Sequence, residues 1–446
     1  MEAGDNPLGR PSHQTGGRRR KTMHNEENTE TVTLDAILSE ENLKTAWLAV
    51  KANQGAPGVD GRDIEETEEH LRKHWESIKR KLLEGEYQPG AVRAVEIPKP
   101  NGGSRKLGIP NVQDRMIQQA VHQKLSPEWE KDFSDHSYGF RPNRSAQDAI
   151  RVAQGYIKAG KTWVVDIDLK SYFDEVDHDI LMREVKPKIG DKRVLRLIGD
   201  YLRAPMQTAD RSKTKRMKGT PQGGPLSPLL ANIYLDPLDK ELESRGLSFV
   251  RYADDIAIFA SSERAAIRIL ERVIKWIEKN LKVPVNREKS GSGPTDKSAL
   301  LGFRLHPDGS VGVSPKTAVK LKAKVRELWD AQQSRTSKEL RDQWKQYIQG
   351  WWNYFGITER PKELRHIGGW IRRHIRKCFW IRWKTPTGRL NALKRLRVKG
   401  RSLGLAYTGI GAWAMAKHPV LQQAMKNNTL NKYGFIIPWE LMGAKA

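Results

Sequence analysis

Cysteine is almost missing from this chain: Cys378 is the single one among 446 residues. That excludes a disulfide framework within the chain and any paired Cys-x-x-Cys zinc site. His374 and Cys378 stand at helical i, i+4 spacing, but an isolated pair in a basic segment reads as a helix face rather than a metal site. Long apolar runs are absent as well. No segment reaches the length of a membrane span, and the first 22 residues, which include Arg18, Arg19, Arg20 and Lys21, carry no apolar stretch of signal-peptide length. A soluble, unexported, cytoplasmic protein with no membrane partner is expected. Acidic side chains are also scarce, 53 against 79 Lys and Arg, for a formal net charge of +26. So lopsided a charge repels itself unless a polyanion offsets it, which makes nucleic acid the expected partner. Association with ribosomes or a membrane surface is the other reading of charge alone.

What is present points to folded structure. Hydrophobic residues make up 37% of the chain and include 14 Trp, enough for a sizeable core beside 30% charged residues. The length implies two to four domains or subdomains. Residues 1–32, rich in Gly, Pro, Asn, Glu and Arg, read as a disordered basic arm. From Leu34 to about Leu83 apolar residues recur at helical spacing, as in Leu43, Trp47, Leu71, Trp75, Ile78 and Leu82, around a turn-rich break at 54–61. Arg93 to Pro98 alternates like a strand, and Asn101-Gly102-Gly103 turns it into Ser104–Ile109, which implies a hairpin. Helical patterns follow at 111–130 and 145–159, then a strand around Trp163–Leu169, helices through 178–203, a Gly-Gly loop, another helix and a hairpin around Asp254. The mixture is α+β. After about Ser314 strands disappear. Trp370 to Trp383 interleaves Arg and Lys with Trp, Phe and Ile, the pattern of a basic helix with one apolar face.

The strongest chemical signal is Phe249-Val250-Arg251-Tyr252-Ala253-Asp254-Asp255-Ile256-Ala257-Ile258-Phe259, where two adjacent carboxylates interrupt an apolar strand–turn–strand. Such a pair is costly to bury unless something neutralises it. Divalent ions do so, and phosphoryl transfer needs carboxylates to hold two of them across the reacting oxygens. Taken alone the string is weak, since Asp-Asp turns are ordinary surface chemistry. A second acidic strand, Val164 to Asp174, strengthens it. Alternation there puts Asp166 and Asp168 on one face and Val165, Ile167 and Leu169 on the other, so that one aspartate can meet the same metals. Asp174, Asp177 and Asp179 read as caps and solvated surface. Between the strands lies Gly219-Thr220-Pro221-Gln222-Gly223-Gly224-Pro225, whose glycines let backbone approach a nucleotide or template base.

The order and spacing of these blocks resembles the palm motifs of reverse transcriptases, and more narrowly the proteins encoded by group II introns, most of all the compact bacterial class C. Ile97 to Pro110 is similar to their fingers hairpin, Ser137 to Ser145 to the following block, and Trp351-Trp352-Asn353-Tyr354-Phe355 to their thumb. The resemblance implies a right-hand polymerase: an N-terminal extension over 33–90, fingers and palm over 91–308, a thumb or maturase domain over 309–365, and a basic DNA-binding region over 366–446.

It also implies roles. Asp168, Asp254 and Asp255 would be the catalytic, metal-holding aspartates, with two Mg2+ ions as cofactor and Mn2+ as a possible substitute. Phe173 would be the gate against a ribose 2′-hydroxyl, Lys99 and Arg105 the fingers cations on the dNTP, and Lys289 the cation near the leaving pyrophosphate. Gln222 and Gly223 would line the templating pocket, and Leu301-Gly302-Phe303 would grip the primer. Arg372, Arg373, Arg376 and Lys377 are the expected nucleic-acid contacts of the C-terminal helix. Expected partners are intron RNA in a ribonucleoprotein, an RNA template with its DNA primer, dNTPs and target DNA. The activity implied is copying of intron RNA into DNA during retrohoming, together with maturase action in splicing, in a bacterial cytoplasm and at the nucleoid during integration. A relative domesticated for DNA repair or defence, or a splicing cofactor alone, is the alternative. With no cysteine-stabilised nuclease legible after the tryptophan-containing tail, the particle is expected not to nick the second DNA strand.

Overall fold

The computed structural model describes residues 32–98 and 104–441, apart from the side chains of Arg105, Pro361 and Leu441. The expected basic arm over 1–32 falls, but for Val32, outside these residues. So do Lys99 and the Asn101-Gly102-Gly103 turn.

The N-terminal helices form where their caps and stripes dictate. Ile64–Glu84 opens on a capping box in which Asp63 and Glu66 satisfy each other's backbone N–H groups, closes on Gly85 at φ +72°, and buries Leu71, Ile78 and Leu82. These residues join Ile117, Val121 and Leu125 of the helix Val112–Glu130 in one core with the palm.

Two sheets position the site. In the fingers, Val92–Pro98 pairs antiparallel with Ser104–Ile109, placing Glu96 opposite Lys106, and a short strand Met206–Gln207 runs parallel to its other edge. The palm sheet runs Ser248–Tyr252, Asp255–Ala260, Trp163–Asp168, Gly291–Pro294, each strand antiparallel to its neighbour. Its alternation feeds two cores. Val165, Ile167, Phe249, Ile256 and Ile258 pack with the helices Ser227–Ser244 and Glu263–Asn280. Val164, Val250, Ala257 and Phe259 pack with the helix Ala146–Lys158 and with Phe303 and Leu305. The strand Gly291–Pro294 has no strand-forming composition and was not expected; backbone pairing to the open edge at Trp163–Asp166 recruits it.

Beyond the last strand, Val311–Val313, the chain is helical. Pro315–Leu328, Ser337–Phe355 and Pro361–Arg382 pack around Leu321, Trp344, Ile348, Ile371, Ile375 and Trp380, and the short C-terminal helices add Met415, Leu421 and Leu430 to the same core. No helix among the described residues is long and apolar enough to cross a membrane.

Candidate active site

The acidic strand and the Asp-Asp hairpin are neighbours in the palm sheet. Register puts Asp168 directly opposite Asp255, while Tyr252 pairs with Asp255 across a two-residue turn of Ala253 and Asp254. Cross-strand partners share a face, so Asp168 and Asp255 stand on the same side of the sheet with Asp254 at its rim. Asp255 keeps its carboxylate open to solvent at the strand end, yet its surroundings on the protein side are dense. That desolvation, followed by repulsion from Asp254, Asp168 and Asp166, pushes its pKa up to about 6. Two residues deeper along the strand from Asp168, burial also raises Asp166, which accepts a hydrogen bond from Ser298.

A cavity of about 860 Å³ opens over Asp168 and Asp254, lined also by Phe173, Gln222 and Lys289 among others. Five residues singled out in the sequence, taken from four separate stretches of chain, are therefore brought to one chamber. Lys289 Nζ lies 3.8 Å from Asp168 Oδ2, and Ser290 Oγ accepts a hydrogen bond of 2.9 Å from the Asp168 N–H. Phe173 is half-buried with its ring edge-on to Tyr172 at 5.3 Å. Lys106 and Ser104 of the fingers hairpin also line the chamber, and neither was singled out; strand alternation from Glu96, its cross-strand partner, was the available signal. Asp174, read as a surface acid, lines the chamber too, whereas Asp177 does cap its helix as expected.

The Gly-Gly loop ties fingers to palm. Gly223 sits at φ +139°, and a Cβ there would lie 2.4 Å from the Gly108 carbonyl oxygen, while the Gly108 N–H donates to Gln222 O at 2.9 Å. In the segment expected to grip a primer, Leu301 and Gly302 have φ of 50° and 84°. Tyr354 Oη donates to Leu301 O at 3.2 Å and Thr317 Oγ1 to Gly302 O at 2.9 Å. Phe303 is fully buried and stacks on Tyr354 of the helix Ser337–Phe355, so its ring joins that helix to the strand Phe303–Leu305.

The C-terminal cations divide. Arg376, expected to contact nucleic acid, is buried and donates from Nε and Nη2 to the Met425 carbonyl oxygen. Burial lowers its pKa to about 10. Arg372 is paired with Glu440. Arg373 and Lys377 keep partial exposure on the same helix. His374 lies between the rings of Trp370 and Trp413, and Cys378 is buried, its thiol pushed up to about 11 by desolvation.

The donor set suits a hard divalent cation, because every candidate ligand is a carboxylate oxygen. Among the described residues no three His, Cys, Asp or Glu are already gathered into a cage for one ion.

Comparison with known proteins follows the same division of the chain. A family model described as reverse transcriptase (RNA-dependent DNA polymerase) matches residues 97–305, and one described as group II intron, maturase-specific domain, matches 318–397. The chain is 34% identical to protein YkfC of Escherichia coli over 58% of its own length and 80% of that protein. The chain belongs to the group II intron-type reverse transcriptases. It is also 38% identical to the group II intron-encoded protein LtrA of Lactococcus lactis, over 50% of this chain and 36% of that one. With a putative COX1/OXI3 intron 1 protein of Saccharomyces cerevisiae the identity is 32%, over 49% and 26% respectively. The chain thus spans most of YkfC but about a third or less of the other two. Reverse transcriptases generally use divalent ions, and in this chain the adjacent aspartates stand at the hairpin between Ser248–Tyr252 and Asp255–Ala260.

Proposed function

We infer that this protein polymerises DNA on an RNA template and acts as maturase for a group II intron. What carries the reading is the convergence of Asp168, Asp254, Phe173, Gln222 and Lys289 on one chamber, with Asp255 directly across from Asp168. Asp168, Asp254 and Asp255 are the residues that would hold two Mg2+ ions, for which Mn2+ is a substitute; bound there, the ions acidify the primer 3′-hydroxyl and neutralise triphosphate charge. The rest is positioning by the chain. Phe173, lining the chamber, would occupy the space into which a ribose 2′-hydroxyl would intrude. Gln222 and Gly223 border the templating base, and Lys289, with Lys99, Arg105 and Lys106 of the fingers hairpin, offers cations to the phosphates. Leu301 and Gly302 hold the primer through backbone.

The substrates are dNTPs on an RNA template with a DNA primer, and the partner is intron RNA, whose phosphates answer the net charge of +26. Copying intron RNA into target DNA during retrohoming, in a bacterial cytoplasm and at the nucleoid, is the process this chemistry serves. The test is primer extension with purified protein, an RNA template, a DNA primer, dNTPs and Mg2+, beside splicing of a group II intron RNA with and without protein. Extension that needs Mg2+ and Asp254 is expected. Failure to extend, or extension by an Asp254→Ala variant, would overturn the polymerase reading; splicing indifferent to the protein would overturn the maturase half.

A further inference from the structure

Beneath the Asp254 turn, on the side of the sheet away from the carboxylates, lies a polar network that the chemistry above leaves unused. The Arg251 side chain is fully buried and all five of its guanidinium N–H groups are engaged. Nε and Nη2 donate to the two oxygens of Asp239, itself fully buried. Nη2 also donates to Ser137 Oγ at 2.8 Å, and Nη1 to Asn232 Oδ1 at 3.0 Å and the Ala253 carbonyl oxygen at 2.9 Å. Asn232 in turn donates from Nδ2 to the Gly139 carbonyl oxygen at 2.8 Å. Gly139 lies so close to the turn that a Cβ would be 2.3 Å from the Ala253 nitrogen. Backbone hydrogen bonds of 2.8 Å, from Arg251 N–H to His136 O and from Tyr138 N–H to Arg251 O, complete the attachment.

Ala253 needs this support. Its φ is 57°, a left-handed conformation that a residue with a Cβ adopts only when its surroundings over-determine it. A buried ion pair is a poor device for stability alone, because desolvation offsets its attraction. This one places a guanidinium where it holds the carbonyl of the residue immediately before Asp254. We propose that Arg251 and Asn232 are positioning residues for the catalytic turn, locking Ala253 against Gly139 so that Asp254 and Asp255 keep their placement relative to Asp168. The inference rests on the polymerase reading of those carboxylates. Misplacing reacting groups by about 1 Å can cost roughly a hundredfold in rate, so a clamp on the turn acts on turnover rather than on substrate binding.

The test uses Asn232→Ala and Arg251→Lys in the full chain, with three readouts besides thermal unfolding. These are kcat and KM for dNTP, affinity for primer–template, and Mn2+ binding followed by electron paramagnetic resonance without nucleic acid or nucleotide. In folded protein, kcat should fall by about ten- to a hundredfold and Mn2+ binding should weaken, while KM and primer–template affinity stay near the parent's. Arg251→Lys should be the more severe, since an ammonium cannot span the same acceptors. If both variants unfold, Ser137→Ala, which removes one acceptor and keeps the ion pair, is read in the same way and should show a smaller loss of the same kind. Parental kcat and Mn2+ affinity in a folded variant, or a loss of kcat that merely tracks the folded fraction, would overturn the clamp. A parent protein that binds Mn2+ but extends no primer would instead overturn the polymerase reading.

Discussion

Asp168 and Asp255 face one another across adjacent antiparallel strands of the palm, although 86 residues separate them in sequence, and Asp254 occupies the turn beside them. Replacing Asp254 with Ala should lower dNTP incorporation by at least about a hundredfold, because it removes a charged ligand at the reacting centre. Affinity for intron RNA should stay within about twofold, because no phosphate contact is lost. Primer extension and filter binding on one preparation check this, and equal losses in both would make the residue structural.

Phe173 borders the same chamber from the short helix Tyr172–Glu175 after the acidic strand. Phe173→Ala should lower discrimination between dNTPs and rNTPs by about ten- to a hundredfold, the range by which pocket shape alone selects substrates. The kcat/KM ratio for dCTP over CTP measures it. An unchanged ratio would place the gate elsewhere.

The basic helix Pro361–Arg382 separates two kinds of arginine. Arg373→Glu together with Lys377→Glu should flatten the dependence of RNA affinity on salt, with a slope change of roughly 0.7 to 0.9 per lost contact. Arg376→Ala should leave that slope alone and cost about 1–3 kcal/mol of stability, because its guanidinium serves the Met425 carbonyl. Filter binding from low to high salt, with chemical unfolding of each variant, distinguishes the two.

Asp114 offers a pH prediction outside the candidate site. It is buried, accepts hydrogen bonds from Tyr87 Oη at 2.7 Å and Gly90 N–H at 3.1 Å, and is raised by desolvation from 3.8 to about 6. The folded state therefore holds this proton more tightly than the unfolded chain does. Its contribution to stability is greatest below pH 4 and is lost as pH rises through about 6. Relative to Asp114→Asn, which carries no titrating group there, the parent should lose up to about 3 kcal/mol between pH 4 and pH 8. Urea unfolding at the two pH values checks the sign; a difference independent of pH would mean Asp114 is not titrating in this range.

Local pattern alone made much of this protein legible. The helical stripes from Leu34 to Leu83, the hairpin at Arg93–Ile109, the alternation that points Asp168 away from Val165 and Ile167, and the hairpin that carries Asp254 and Asp255 are all written in contiguous residues, because period and turn chemistry are properties of short segments. The residues of the candidate site were accessible for the same reason, once the order of the blocks was seen to resemble one family. What depended on tertiary structure is of another kind. Gly291–Pro294 is a strand only because an edge of the sheet was open to its backbone. Arg376 looks like Arg373 in sequence and differs only because the Met425 carbonyl happens to lie within its reach. Lys106 and Asp174 join the chamber through the placement of distant segments, and Arg251, charged within an otherwise apolar strand, finds Asp239, Asn232 and Ser137 only when two distant stretches of chain close around it. Periodicity assigns a side chain to a face; which hydrogen-bond partners wait on that face is decided by contacts between residues far apart in sequence, and burial makes those partners obligatory.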